Sequence, residues 1–176
     1  MSDNACWDGI RKALAGAVRV AVIGIGDDCS PVDRLGMATA RKLRDGGLVR
    51  EGVFLAGTVP ESVTAPVRRY RPDHVLLLDA ADMGVRPGSF AIVSPETIRG
   101  TLISTHSLPL SAVMEYLAAD TSAPVILLGI QPDLSRPETG LNEEDREFLD
   151  RNTGRLLALL QEPGAAAARA ARTGER

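Results

Sequence analysis

At 176 residues, with 44% hydrophobic and 24% charged side chains, the chain has the size and composition of one globular domain with a substantial core. Its net charge of −3 gives no electrostatic reason to expect nucleic acid or an anionic membrane surface as partner. No apolar run approaches the roughly 18–20 residues of a membrane span, and the opening MSDNACWDGIRK carries acids where a secretory leader is basic, so the sequence predicts a cytoplasmic protein without membrane insertion; a monomer is expected, though nothing in the sequence fixes the oligomeric state.

Residues 2–17 read as an amphipathic helix, with Trp7, Ile10, Leu14 and Ala17 three and four apart. Residues 19–25 (RVAVIGI) are a first strand closed by Gly24-Ile25-Gly26. A helix is then expected from Ser30 as its N-cap and Pro31 as its first residue to Gly46 as its left-handed terminator, burying Val32, Leu35, Gly36, Thr39 and Leu43. Residues 52–56 make a second short strand, and a helix through Tyr70 follows, which Pro66 delays to about Thr64.

Residues 75–88, VLLLDAADMGVRPG, are the centre of the chain. An uninterrupted apolar run bounded by turn residues indicates a strand buried on both faces, and Asp79 stands at its carboxyl end, where ligands bind in open α/β sheets. Residues 89–93 alternate as an edge strand does, 94–99 open a short helix, and 100–108 carry His106 in a polar stretch. Pro109 starts a helix with Leu110, Val113, Met114 and Leu117 on one face; residues 124–130 are the last strand. Residues 135–140 are a polar, mobile surface segment, and 141–160 a long covering helix. Residues 163–176 are alanine and arginine without a core-sized side chain, a low-complexity tail expected to be disordered beyond a single domain over 1–162.

This alternation predicts an α/β three-layer sandwich: a twisted, mostly parallel five-stranded sheet, in the order 2-1-3 with the fifth strand beyond, flanked by helices on both faces. The polar residues narrow the chemistry. Gly24-Ile25-Gly26 lacks the third glycine of a dinucleotide fingerprint, no lysine follows a glycine-rich loop, and there is no GxSxG elbow. The two cysteines, Cys6 and Cys29, are read as free thiols, although Cys29 lies in the loop after the first strand and, like Asp27, is open to a functional role. Asp33, Asp79 and His106 remain, each just after a strand or in the loop beyond one. Two carboxylates and one imidazole suit zinc or nickel with positions left open for water or substrate. Taken singly they have ordinary readings too: a helix-capping acid, an acid satisfied by backbone amides and a loop histidine.

Three stretches then resemble one family: Gly24, Gly26, Asp33 and Gly36 in a GxGN...(D/E)xxG pattern, LLLDAADMGVRPG in the middle, and STHSLPL with LLGIQPD towards the end. They are similar to the hydrogenase maturation endopeptidases, nickel-dependent proteases that trim the large subunit of [NiFe] hydrogenases, and most similar to the hydrogenase 3 branch. The departures are Asp27 for the family's asparagine, Val32 for the first of its paired acids, and Gly57 alone for a glycine pair. The resemblance implies an endopeptidase that removes the C-terminal extension of a large-subunit precursor after nickel insertion. It places Asp33, Asp79 and His106 as the metal-contacting and catalytic residues. The nickel would be carried by the precursor and bound weakly or not at all by the isolated protein. Either the ion activates a water or one carboxylate acts as general base. Asp82 and Gln131-Pro132-Asp133 are candidates for peptide contacts. The alternative is a non-catalytic Rossmann-like module that binds the nickel-loaded precursor or a maturation chaperone; a nucleotide site at Gly24-Ile25-Gly26 is a third reading.

Overall fold

Three apolar runs form the interior strands of one sheet, β1 (Val20–Ile25), β3 (His74–Ala80) and β5 (Val125–Ile130), as a computed structural model describing residues 3–94 and 109–162 shows. Strand β2 (Val53–Gly57) is one edge and β4 (Phe90–Ile92) the other, in the order β2-β1-β3-β5-β4. All neighbours are parallel except β4, which runs antiparallel to β5. The expected order and the short alternating edge strand are both borne out.

Alternation along the strands divides the apolar side chains between two cores. Leu76, Leu78 and Ala80 face helices α1 (Asp3–Ala13), α2 (Leu35–Asp45) and α5 (Glu143–Leu160), where Trp7, Leu43 and Leu156 meet them. Val75 and Leu77 face the opposite layer, α3 (Thr64–Tyr70) and α4 (Leu110–Thr121), with Val67 and Leu117 above them. Leu76, Leu77 and Leu78 are all 0% exposed, so each contributes about 1.5–3 kcal/mol of burial. That explains why the central run carries no polar residue before Asp79. Helix α1 closes the β4 edge: its Trp7 ring lies 6.0 Å from Phe90, and the Cys6 thiol donates to the Phe90 carbonyl at 2.6 Å. Both cysteines are free thiols, as expected.

The helix boundaries differ from expectation at one instructive place. Residues 30–34 form turns rather than helix, and α2 starts at Leu35, so neither Ser30 nor Pro31 begins it. Ser30 instead organises a preceding turn, in which its carbonyl accepts from the Asp33 and Arg34 amides and its hydroxyl from Asp33 N. At the other end Gly46 has φ −77°, and the left-handed residue is Gly47 at φ 102°. Helix α3 does start at Thr64, after a single 3-10 turn over Pro60–Val63, which leaves Pro66 in the first turn where its missing N–H costs nothing. Helix α5 starts at Glu143 with Asn142 as a true N-cap, its Oδ1 accepting from Asp145 N at 2.8 Å. Residues 135–139 are exposed, as expected, and turn back through Gly140 N donating to Arg136 O. The short helix expected at 94–99, His106 and the 163–176 tail lie outside the described residues, apart from Ser94. No described helix is long and apolar enough to cross a membrane.

The amino ends of β1 and β3 are joined by one side chain. Asp73 accepts from the amides of Val18 at 3.0 Å and Arg19 at 2.9 Å, and its other contact is His74 Nδ1 at 3.0 Å. Burial opposes its ionisation, but the bond to His74 and the two backbone bonds outweigh burial and hold its carboxyl below the usual carboxylate range. A carboxyl whose folded pKa is depressed contributes stability above its unfolded value, near 3.9, and loses it as pH falls through the folded value. Asp73→Ala is therefore expected to lower unfolding stability at pH 7 by about 1.5–3 kcal/mol. In urea titrations the gap from wild type should narrow below about pH 4; a gap independent of pH would contradict this role.

Candidate active site

The carboxyl ends of β1 and β3 lie under the start of α2, and the contact there is backbone on backbone. A Cβ on Gly36 would sit 2.1 Å from the Leu78 carbonyl oxygen and 2.4 Å from that of Ile25. Only glycine lets the helix rest on both strands. Gly24 completes the seat, since a Cβ there would meet Ala40 Cβ at 2.6 Å and Gly36 O at 3.0 Å. The two candidate carboxylates branch from this point: Asp79 follows Leu78 directly, and Asp33 precedes Gly36 by one turn.

Asp33 is held by the loop between β1 and α2. Gly26 turns with φ 128°, and its Cα faces the Asp33 carbonyl so closely that a Cβ would lie 2.0 Å from it. One carboxylate oxygen of Asp33 accepts from Asp27 N at 2.9 Å. The carboxylate thus points back to the end of β1, and Arg34, at the N-cap of α2, makes no side-chain cap. Asp33 was expected in the first turn of α2 and lies instead in the turns before it. Asp33 is 8% exposed. Asp27 uses its own side chain to accept from Cys29 N at 2.8 Å, forming a local turn that leaves the Cys29 thiol exposed.

Asp79 is 0% exposed, and its Oδ1 accepts from Ala80 N at 2.8 Å. Buried this deeply, the carboxylate is shielded from bulk water. Strand alternation gives it the face of Val75 and Leu77, the side covered by α3 and α4. A helix that feeds a parallel strand runs antiparallel to it, so α4, leading into β5, begins at the carboxyl end of the sheet. His106, four residues before Leu110, is outside the described residues. Among the described residues no three His, Cys, Asp or Glu side chains form a metal-binding group.

The loop after Asp79 is fixed by residues that sequence reading placed elsewhere or missed. Gln131, 4% exposed, accepts from Met83 N at 2.6 Å and donates to Asp82 Oδ1 at 3.3 Å and Pro132 O at 3.1 Å. Its amide is spent on the loop. Asp133 is likewise occupied internally, by Ser135 and Arg136; Asp82 alone of these expected peptide contacts is exposed. From the other side Arg86 reaches Asp145 at 3.2 Å and Glu144 at 2.8 Å, with its guanidinium 4.3 Å from the Phe148 ring centre. Asn152 Nδ2 donates to Gly88 O at 3.0 Å. A buried amide directly after an apolar strand was the available signal for Gln131, whereas nothing in the spacing links Arg86 or Asn152 to this loop.

Residues 37–158 match the model of a family described as hydrogenase maturation protease. The chain belongs to that family. It is 30% identical over 157 residues to a candidate hydrogenase maturation protease of Methanocaldococcus jannaschii, covering 85% of this chain and 92% of that one. A hydrogenase 3 maturation protease of Escherichia coli K12 is 39% identical over 83 residues, 47% of this chain and 53% of that protein. The crystal structure of a [NiFe] hydrogenase maturation protease, HycI, from Thermococcus kodakarensis KOD1 superposes with a TM-score of 0.72 at 29% identity, covering 88% of this chain and 99% of that one. The α/β sandwich and its mostly parallel sheet are therefore those of the hydrogenase maturation proteases, and the protein is a hydrolase of that family.

The seat of α2 predicts a sharp contrast between glycines. Gly36→Ala is expected to cost about 3 kcal/mol or more, because backbone atoms cannot move aside as side chains do. Gly154→Ala, in an exposed stretch of α5 with nothing within 4 Å of the new methyl, should stabilise by up to about 1 kcal/mol. Urea midpoints that shift equally for the two variants would overturn this account of the seat.

Proposed function

We propose that the protein is an endopeptidase that removes the C-terminal extension of a [NiFe] hydrogenase large-subunit precursor once nickel has been inserted, acting in the cytoplasm as a monomer. The observation that carries this reading is the pair of buried carboxylates, Asp33 and Asp79, brought by Gly36 to the same end of adjacent strands in a hydrogenase maturation protease. The family match spans residues 37–158, a range that takes in the positions of Asp79 and His106 and begins after Asp33. Helix α4 begins at that end of the sheet on the face to which Asp79 belongs, which supports His106, four residues before Leu110, as the third member.

In this reading the nickel is part of the substrate, held by the precursor, and Asp33, Asp79 and His106 complete its shell. Two hard oxygens and one imidazole nitrogen are a partial set, with positions left for the precursor's own ligands and for water. An ion held between enzyme and precursor polarises the scissile carbonyl and acidifies a bound water. A carboxylate beside that water takes its proton as the new carbon–oxygen bond forms, and the proton passes to the departing amine as the carbon–nitrogen bond breaks. Recognition through the ion makes trimming wait for metal loading, because an empty precursor offers those three side chains nothing to bind.

Mass spectrometry of a nickel-loaded precursor before and after mixing tests this. Wild type is expected to leave a shortened chain, while Asp79→Asn and His106→Ala slow trimming by at least about a hundredfold with unchanged circular dichroism. Full trimming by either variant, or wild-type binding without any shortening, would contradict the proposal.

A further inference from the structure

Between α2 and α5 a groove of about 490 Å³ opens, and its lining includes Pro31 and Arg34 from the turn that carries Asp33. Leu35, Leu141 and Leu149 form an apolar floor, each about 5–6% exposed. The rim carries four basic and two acidic side chains, although the whole chain is negative by 3. Both acids are already engaged. Asp28 takes both guanidinium nitrogens of Arg41, one at 2.6 Å, which draws its carboxyl below the usual range, and Asp150 pairs with Lys42. Arg34 and Arg146 are exposed and form no ion pair among the described residues, although Arg34 lies near enough to Asp28 to help Arg41 lower its carboxyl; the only side-chain bond of Arg146 there is to the Thr139 carbonyl at 3.4 Å. Two guanidinium groups outside any ion pair, over an apolar floor, are complementary to a peptide with carboxylate side chains spaced along it.

We propose that this groove seats an acidic stretch of the precursor, whose carboxylates pair with Arg34 and Arg146 while its apolar residues lie on Leu35, Leu141 and Leu149. The proposal rests on the endopeptidase reading and adds to it where the substrate lies before it reaches Asp33. Arg41 and Lys42, already neutralised, set the width of the groove rather than its charge. Exposed pairs are individually weak, so the groove guides and registers the chain more than it holds it.

Two measurements test it. In the first, the full chain labelled with ¹⁵N is titrated at low salt with the peptide acetyl-Glu-Gly-Glu-Gly-Glu-amide and with its lysine counterpart. Amide shifts are expected around Arg34, Ala38 and Arg146 with the glutamate peptide only, and none with the doubly reversed variant R34E/R146E. Shifts elsewhere, no shifts, or equal shifts with the lysine peptide would overturn the groove. In the second, R34E/R146E trimming the nickel-loaded precursor is expected to raise KM about tenfold with kcat within twofold, and to flatten the salt dependence of kcat/KM. An unchanged KM and salt dependence would also overturn it. If wild type leaves the precursor uncut, the endopeptidase reading fails while the peptide titration still decides the groove.

Discussion

The architecture of this site depends on one contact that no side chain makes: the backbone of Gly36 resting on the carbonyl oxygens of Ile25 and Leu78. Helices normally stand about 10 Å from the sheet they cover because side chains intervene. Here the first turn of α2 has descended to the strand ends, with Gly24 and Gly36 facing each other without Cβ atoms. Everything polar that matters is then a short walk along the chain from that contact. Asp79 is the next residue on one strand, and Asp33 is one turn back from the helix start.

Burial gives the arrangement its chemical character. Asp79 is fully enclosed and Asp33 nearly so, whereas Asp27, Asp28 and Asp82 in the same region either cap their own turns or pair with arginine. Enclosed carboxylates are held only where the fold supplies them with partners, and Asp33 and Asp79 take backbone amides of Asp27 and Ala80 among theirs. The loop after Asp79 is correspondingly rigid, clamped by Gln131 from β5 and by Arg86 and Asn152 against α5. Ligand geometry of this kind is set by supporting residues rather than by the ligands alone. In the reading proposed above, this supported loop is what would hold Asp79 steady towards a metal ion carried by the substrate.

Much of this was legible in the amino-acid sequence, because buried parallel strands cannot disguise themselves. The run VLLLDA has no polar residue that a central strand would reject, so its position and the placement of Asp79 at its end followed from composition alone. The edge strand was legible from its alternation and its shortness. The start of α2 was not. Ser30-Pro31 is a sound helix opening by local rules, but Asp33 bonds to Asp27 N, and Gly26 packs on the Asp33 carbonyl, so tertiary contacts outweigh the local signal. Asp33 therefore looked like a capping acid in sequence and is a loop-held carboxylate in space. Gln131 looked like a substrate contact because a polar residue after a strand usually faces the crevice; its amide turns inward instead, since the loop beyond Asp79 has amides in need of acceptors. Gly36 was read as one member of a buried stripe, and its role as a seat depends on the distance between two strand ends that no one-dimensional pattern encodes.

The central claim is that Asp33, Asp79 and His106 share one metal ion at the carboxyl end of the sheet. Its most direct test is a crystal of the full chain soaked in nickel or cadmium, with anomalous scattering used to place the ion. The account predicts a single site at partial occupancy, with oxygen atoms of both aspartates and one ring nitrogen of His106 at about 2.0–2.4 Å from it. An ion bound elsewhere, or one touching a single member of the three while the others face away, would contradict it.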